Sequence, residues 1–379
     1  LNLNVSEGGL VYFPCLVYAL CHGDIDVTSP SLYMTFANSA FSVGTKFEFG
    51  SSWSRDSYVP TAPTGIFAAT NSVVSVGDGF IVGRNKRDAK ADGSLTVDFE
   101  NCVVTAKTFA VYYDRPLNNA RFNGTRFVFG AEGGSIVASD GEANWFTVGN
   151  GGLTIDTQDY SATLNANLGG SGAVTKVGSG TLTVLQNQAT TGGMIVDEGT
   201  LAINSSVTFA GPVAFAADSA LDIVGYNGTT AMIASALTLP TEGTVALTLN
   251  GGSFDKGVYA ICAAPGVSKA AGEKFSFTTA DDLVGKWSVD GDTLLLSVGE
   301  IDPNMWTARG GDGKMSNGAN WGGGNVPSEG SDVDFSGILL DTTIIADTGR
   351  TFGKVTMGDG VITFTGALKA ASFSDTSKV

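Results

Sequence analysis

A short strand motif recurs at nearly constant spacing in the middle of the chain. Gly180-Thr181-Leu182-Thr183-Val184 returns as Gly199-Thr200-Leu201-Ala202-Ile203, and Ser219-Ala220-Leu221 then takes the same phase, giving steps of 19 and 20 residues between the leucines. Periods of this order are typical of solenoids, in which each coil packs only on its neighbours. A sandwich would place its hairpins every 8–12 residues and would not keep one register over three units. The repeat therefore predicts a parallel β-helix with the three leucines stacked inside.

The composition favours the same all-β fold class. Charged residues make up only 15% of the 379 residues, and the chain contains 52 Gly. Ser, Thr, Asn and Gly suit short strands joined by tight turns, because β-branched residues fit pleated surfaces and Gly and Asn accept positive φ. Apolar stripes at helical spacing are almost absent, so long helices are not expected.

Short strand signals run along most of the chain, each bounded by Gly, Asn, Asp or Ser. In the first part they fall at Ser31–Phe36, Ala40–Val43, Lys46–Phe49, Ser72–Val76, Phe80–Val82, Leu95–Phe99, Thr108–Tyr113, Arg126–Phe129, Ser135–Ala138, Trp145–Val148 and Leu153–Asp156. We predict irregular β-helix coils with projecting loops over residues 1–150, regular coils of about 20 residues over 151–299, and the start of a following β module over 300–379. A hairpin over Gly285–Val298, turning at Asp290-Gly291-Asp292, is expected at the second boundary.

The longest apolar run extends from Leu10 to Cys21 and contains Pro14. It is too short to span a bilayer, which needs about 20 residues, and Glu7 precedes it where a signal peptide would carry positive charge. We predict two short buried strands separated by a corner at the proline.

The four cysteines do not form a metal-binding pattern, and His22 is the single histidine. Structural zinc needs four closely spaced N or S ligands. The sequence is compatible with either a disulfide between Cys15 and Cys21 or two free thiols. Cys102 and Cys262 would lie several coils apart, far beyond the roughly 7 Å between Cα atoms that a disulfide allows, so they are expected to remain unpaired.

The net charge of −16 disfavours two classes of partner. An acidic surface repels phosphate backbones and anionic lipids, so neither nucleic-acid binding nor membrane insertion is expected. No cofactor is expected either; calcium is conceivable for such a surface but no calcium-binding motif supports it. The glycines at 169–180 do not open a helix, as a phosphate-binding loop requires.

Two groups of residues are the candidates for a carbohydrate site. Asp24 and Asp26 lie two residues apart beside His22 and would share a strand face, as the carboxylates of polysaccharide-degrading β-helices do; the alternative is a polar turn. Exposed aromatic side chains that stack on sugars are the second candidate: Trp53 and Tyr58 in a projecting loop at Ser51–Gly65, and Tyr112 and Tyr113 after a strand. Gly83–Gly93 is predicted to be a solvated loop.

Residues 172–203 resemble the autotransporter-associated β-strand repeat of large bacterial surface proteins. The matching residues are Val174-Thr175-Lys176, Gly178, Gly180, Thr181, Leu182, Asn187, Gly192, Gly193, Ile195, Gly199, Thr200 and Leu201; Thr190-Thr191 stand where the family often has an aromatic residue. A second resemblance, to modules repeated along very large secreted bacterial proteins, rests on Trp306, Asn320-Trp321, Val326-Pro327, Asp332 and Asp334-Phe335. Together they imply a right-handed β-helix exported to the bacterial surface or secreted, and no catalytic residue carries over.

The sequence thus predicts a non-enzymatic structural protein, a segment or subunit of an extracellular fibre, filament or adhesin stalk. Strand patterns without a polar cap at both ends predict either end-to-end self-association or continuation into further modules. A carbohydrate-active β-helix and a glycan-binding module are the alternatives. Carboxylates within about 10 Å of each other in a cleft would favour the enzyme.

Overall fold

The computed structural model describes residues 2–13, 17–22, 31–53, 64–83, 94–112, 119–138, 146–280, 283–336, 338, 342–358 and 361–375. Besides strands, this part contains one short helix, α1 (Lys269–Gly272), and a 3₁₀ turn at Gly318–Asn320. Two compact units divide the chain. The first comprises Leu1–Gly252, Tyr259–Phe277 and Val289–Leu295, and the second Ser253–Val258, Thr278–Ser288 and Leu296–Val379. Within the described ranges, no helix has the length and apolar character needed to cross a membrane.

The strands follow one another closely along the chain. They are β1 (Asn2–Ser6), β2 (Leu10–Phe13), β3 (Val17–His22), β4 (Ser31–Ala37), β5 (Ala40–Val43), β6 (Lys46–Trp53), β7 (Thr64–Thr70), β8 (Val73–Val76), β9 (Gly79–Val82), β10 (Leu95–Glu100), β11 (Val103–Ala106), β12 (Thr108–Val111), β13 (Asn119–Asn123), β14 (Thr125–Phe129), β15 (Gly134–Ala138), β16 (Phe146–Val148), β17 (Leu153–Asp156), β18 (Ser161–Asn165), β19 (Leu168–Gly170), β20 (Val174–Val177), β21 (Thr181–Val184), β22 (Met194–Val196), β23 (Thr200–Asn204), β24 (Val207–Thr208), β25 (Val213–Phe215), β26 (Ala220–Val224), β27 (Met232–Ile233), β28 (Leu237–Thr238), β29 (Val245–Leu249), β30 (Gly257–Ala263), β31 (Phe275–Ser276), β32 (Leu283–Asp290), β33 (Thr293–Glu300), β34 (Val333–Phe335), β35 (Thr342–Ala346), β36 (Thr351–Met357), β37 (Ile362–Gly366) and β38 (Lys369–Asp375).

Three long parallel sheets form the first unit, and successive strands pass from one sheet to the next. Sheet A has the order β1-β4-β7-β10-β13-β16-β19; sheet B has β2-β5-β8-β11-β14-β17-β20-β22-β25-β28; sheet C has β3-β6-β9-β12-β15-β18-β21-β23-β26-β29-β31. A fourth sheet, β24-β27-β30-β33-β32, includes the predicted hairpin, with Gly291 and Asp292 between β32 and β33. The predicted parallel β-helix is confirmed.

The repeated motif stacks as predicted. In sheet C, Leu182 is the register partner of Leu201, and Leu201 is the partner of Leu221. All three side chains are fully buried. Equivalent apolar residues of successive coils therefore form an internal column, with the intervening threonines on the outer face of the sheet.

The coil length is less regular than the repeat predicts. Along sheet A the step is 33 residues from Tyr33 to Ile66, 30 from Ile66 to Thr96 and 23 from Thr96 to Asn119. We predict irregular coils for this early part. In sheet C the step also grows after the repeated motif, to 26 residues from Leu221 to Leu247 and 30 from Val245 to Phe275, so the 20-residue step holds only around the motif. Extra residues in the early coils lie mainly between sheets C and A, at 54–63 and 84–93. The predicted loops at Ser51–Gly65 and Gly83–Gly93 therefore lie largely outside the described residues.

Aromatic side chains fill the early coils. Phe47, Phe80 and Phe109 are register partners in sheet C. The ring centroid of Phe80 lies 5.0 Å from that of Phe47 and 5.1 Å from that of Phe109. In later coils this column becomes aliphatic, with Ile136 and then Leu164 at the equivalent positions.

The first apolar run is only partly buried. Its β2 strand alternates, with Val11 and Phe13 paired to the inner positions Phe41 and Val43. Leu10 and Tyr12 point outward and are 68% and 59% exposed. The expectation of a buried strand was therefore wrong for this half of the run, because an all-apolar segment does not reveal which face turns inward. Cys15 and the side chain of Cys21 lie outside the described residues.

A polar corner joins sheet A to sheet B in the early coils. Asn38, Asn71 and Asn101 adopt left-handed φ of 48°, 49° and 52° in successive coils. Ser39, Ser72 and Cys102 follow these asparagines, and Thr125 takes the same place after Gly124, whose φ is 60°. Cys102 Sγ donates to the Ala69 carbonyl of the preceding coil at 3.2 Å, and Thr125 Oγ1 to the Phe99 carbonyl at 3.0 Å. Cys102 thus fills a hydroxyl position, which explains a buried free thiol; as predicted, neither it nor Cys262 is in a disulfide.

The second unit contains its own parallel winding. β34, β36 and β38 form one parallel sheet, and β35 and β37 a second. Its core includes Trp306, Trp321 and Phe335, whose ring centroids lie 5.2–5.9 Å apart. Asn320 is fully buried and its amide donates to Asp312 Oδ1 at 2.7 Å. The two tryptophans that carry the second resemblance are therefore core residues of this module.

Candidate functional site

Most of the predicted carbohydrate-site residues lie outside the described residues. These are Asp24, Asp26, Tyr58 and Tyr113. Trp53 is the last residue of β6, although its side chain is not described. Tyr112 follows β12, is half-buried, and its backbone N–H donates to the Val82 carbonyl at 2.9 Å. The described residues bring none of these side chains together.

The repeat motif instead marks the places where coils touch. Thr181 and Leu182 lie in β21, and Thr200 and Leu201 in β23, while the glycines lie in the turns before β21, β22 and β23; these are Gly178, Gly180, Gly192, Gly193 and Gly199. A Cβ atom added to Gly180 would lie 2.0 Å from the carbonyl oxygen of Tyr160, one coil earlier. At Gly193, where φ is +83°, a Cβ would lie 2.1 Å from the Pro212 carbonyl oxygen, one coil later. Glycine is therefore required by the close approach of adjacent coils.

The motif also places a lysine inside the core. In β20, Val174 and Lys176 share the inward face. Lys176 occupies an apolar column of sheet B, with Ile155 before it and Val196 after it, and its side chain is fully buried. We identify this buried lysine and its surroundings in the turn between sheets B and C as the Lys176 corner. The sequence signal for a buried lysine is the alternation in Val-Thr-Lys-Val, which gives Lys176 the same phase as the apolar Val174. We did not predict this burial from the sequence.

Oxygen atoms surround the ammonium group of Lys176. Nζ donates to the Gly178 carbonyl at 2.7 Å, to Thr157 Oγ1 at 3.0 Å and to the Val177 carbonyl at 3.2 Å. An ammonium group has three donors, so these three acceptors satisfy it. The adjacent turn is bound as well, because the backbone N–H of Gly178 donates to Glu198 Oε2 at 3.0 Å.

Asp156 is the buried carboxylate of the Lys176 corner. It accepts hydrogen bonds from Arg126 Nη2 at 2.5 Å and from the backbone N–H of Gln158 at 2.8 Å. Burial acts to raise the pKa of Asp156, but the bonds from Arg126 and Gln158 outweigh it and hold the pKa below its usual range. With Lys176 and Glu198, four consecutive coils therefore share one polar network at this turn.

Desolvation controls the ionisation of Lys176. Burial lowers its pKa to about 8, although the charges of Asp156 and Glu198 act in the opposite direction. A nucleophilic or Schiff-base lysine also has a lowered pKa, but it must reach a substrate. Lys176 is enclosed on all sides and its donors are satisfied, so the geometry supports a structural role.

Replacing Lys176 by methionine is expected to remove a pH-dependent destabilisation of about 3 kcal/mol, the cost of keeping the ammonium group protonated in the fold when its pKa falls from 10.5 to about 8. The folded pKa is about 8 and the ordinary value is 10.5, so the unfolded chain binds more protons between them. The stability of the unmodified protein should therefore rise with pH across this window. The free energy of unfolding of Lys176→Met relative to that of the unmodified protein should therefore fall over the same range. Denaturant midpoints measured from pH 7 to pH 10.5 test this.

Lys354→Met is the matched control, since Lys354 lies at an exposed position of β36. Its midpoint should follow that of the unmodified protein at every pH. A Lys176→Met variant whose difference from the unmodified protein did not change with pH would contradict the assignment of a charge-destabilised lysine.

A second polar network lies on the outer face of sheet A. Arg121 binds Asp98 at 2.8 Å and Glu100 at 2.6 Å, joining β10 to β13. The hydrogen bond from Arg121 lowers the pKa of Glu100. Among the described residues, every carboxyl group with a clearly shifted pKa is shifted downward. A general acid of a glycosidase needs the opposite shift.

Metal-binding side chains are not clustered in the described part of the chain. No group of three or more His, Cys, Asp or Glu residues there is arranged to hold an ion. Comparisons with known proteins add no further candidate: no protein-family model matches the sequence, and neither a curated protein nor a solved structure matches it.

Proposed function

We propose that this chain is a non-enzymatic structural segment of an extracellular fibre, filament or adhesin stalk. The observation that supports this most strongly is the unbroken run of eleven parallel strands in sheet C. Each coil adds about 4.8 Å along the axis of the stack. Adding coils therefore lengthens the protein along that axis. The resemblance to bacterial surface repeats agrees with secretion or surface display, which is part of the proposal.

Polar networks between coils support the same role. The Lys176 corner connects four consecutive coils, and Arg121 on sheet A connects the first of these to the coil before it. Bonds of this kind resist sliding of one coil over the next, because several short contacts must break together. We also propose that the chain associates with further copies or further modules through its parallel strands.

Electron microscopy of natively isolated material tests the proposal. Long assemblies should be seen, with a layer line at about 4.8 Å along the fibre axis, since strands of a β-helix run across that axis. Separate particles without axial order would contradict the structural role. Glycan arrays and Asp24→Ala and Asp26→Ala variants would then test the carbohydrate-active alternative.

A further inference from the structure

One exposed turn of the first unit carries an acceptor sequence for N-linked sugar. The chain contains four Asn-x-Ser/Thr sequences, beginning at Asn4, Asn123, Asn204 and Asn227. Such sequences are acceptors only where the asparagine is accessible, normally in surface loops of secreted proteins. Asn4, Asn123 and Asn204 belong to the strands β1, β13 and β23, and of the four only Asn227 lies in a turn outside the strands.

Two of the four are engaged in the coil stack. Asn4 lies within β1, where its Oδ1 accepts a hydrogen bond from the Thr35 hydroxyl. Asn123 donates from Nδ2 to Glu100 at 2.9 Å, and the hydroxyl of its partner Thr125 is buried against the Phe99 carbonyl. At Asn123 both the reacting Nδ2 group and the partner hydroxyl are therefore bound, and at Asn4 the backbone is held in a paired strand.

Asn227 has the opposite environment. Asn227, Gly228 and Thr229 are all exposed and lie between β26 and β27. Nothing lies within 4 Å of the position that a Cβ atom on Gly228 would take. An enzyme can therefore approach this turn from solvent, where the Thr229 hydroxyl is also bonded to the exposed hydroxyl of Ser206 from the preceding coil.

The side chain of Asn227 is already oriented. Its Oδ1 accepts hydrogen bonds from the Thr229 backbone N–H at 3.1 Å and from the Thr229 hydroxyl at 2.6 Å, which is an Asx turn. None of the hydrogen bonds among the described residues is donated by its Nδ2. Two donors on Oδ1 draw electron density from the amide and make the Nδ2 protons more acidic, while leaving Nδ2 free.

We propose that Asn227 is a site of N-linked glycosylation, which goes beyond the proposed structural function. In the transfer step, Nδ2 attacks the anomeric carbon of a sugar that is bound through its anomeric oxygen to a phosphate leaving group. The C–N bond forms, the C–O bond breaks, and the phosphate leaves with the electron pair. A base of the glycosyltransferase takes the proton from Nδ2. The sugar donor is either a nucleotide-activated or a lipid-linked sugar.

Mass spectrometry of protein isolated from its native source tests this. Cleavage before aspartate gives one peptide from Asp222 to Phe254, which contains Asn227, and another from Asp197 to Ala217, which contains Asn204. We expect sugar increments on Asn227 of the first peptide. Asn250 in the same peptide, also exposed and followed by glycine but lacking the Ser or Thr, serves as an internal control and should stay unmodified.

Variants expressed in the native host sharpen the test. Asn227→Gln and Thr229→Val should lose the increment completely, whereas Thr229→Ser should keep it. A series starting from one sugar identifies a nucleotide-activated donor, and a single preassembled oligosaccharide identifies a lipid-linked donor. Full coverage of an unmodified Asn227 peptide would overturn the proposal, as would sugar on Asn204 alone or equal modification of Asn250.

Discussion

Replacing Phe80 by alanine is expected to lower the free energy of unfolding by about 3–5 kcal/mol, the range for truncating a buried phenylalanine. Phe80 is fully buried, and its ring lies within 6 Å of four others: Phe47, Phe67, Phe99 and Phe109. The cavity would open between Phe47 and Phe109, the register partners of Phe80 in sheet C. Denaturant midpoints of the variant and the unmodified protein measure the loss.

Phe80→Leu is the comparison that isolates the cavity. The same column continues with Ile136 and Leu164 in later coils, so an aliphatic side chain fits its chemistry. The leucine variant should retain well over half of the stability that alanine loses. Equal losses for alanine and leucine would show that ring contacts, and not filled volume, dominate this column.

Replacing Gly180 by alanine should cost about 3 kcal/mol, at the upper end of the range for overpacking. The added Cβ would meet the carbonyl oxygen of Tyr160 at 2.0 Å and the backbone nitrogen of the same residue at 2.7 Å. Both are backbone atoms of the preceding coil, so no side-chain rotation can relieve the clash. The backbone N–H of Gly180 also donates to the Gln158 carbonyl at 2.8 Å, which holds the turn in place.

Gly130→Ala is the matched control for this prediction. Gly130 also has an ordinary φ, and the nearest atom to an added Cβ is a methyl carbon of Thr105 at 3.6 Å. This variant should be neutral or gain a few tenths of a kcal/mol from lower entropy of the unfolded chain. If Gly180→Ala proved no more harmful than Gly130→Ala, the close approach of adjacent coils at the motif would be disproved.

The sequence was informative where the coil length was constant. Steps of 19 and 20 residues align Leu182, Leu201 and Leu221 by simple counting, and that register is observed. The strands predicted before residue 157 are also observed in the described residues, although β7, β11 and β13 were missed. β13, Asn-Ala-Arg-Phe-Asn, carries turn-forming asparagines at both ends, and its inward residues Ala120 and Phe122 become recognisable only beside their partners.

Coil length in the early part could not be predicted, because connections of differing length separate equivalent strands without changing their pairing. Similarly, the Lys176 corner depends on Thr157, Asp156 and Glu198 from neighbouring coils. Nothing in a single strand shows that a lysine will find buried acceptors there. The candidate residues Asp24, Asp26 and Tyr58 were chosen by residue type alone, and the described residues do not test them.

Near-identical coils raise a problem of alignment during folding. A strand shifted by one coil would still place leucine on leucine in the column of Leu182 and Leu201, so the apolar interior alone does little to reject the error. Lys176 does reject it, because a shift would separate its ammonium group from Thr157 and Asp156 of the preceding coil. A single buried charge can specify register in this way at some cost in stability. In a stack of similar coils, Lys176 therefore distinguishes one coil from the others.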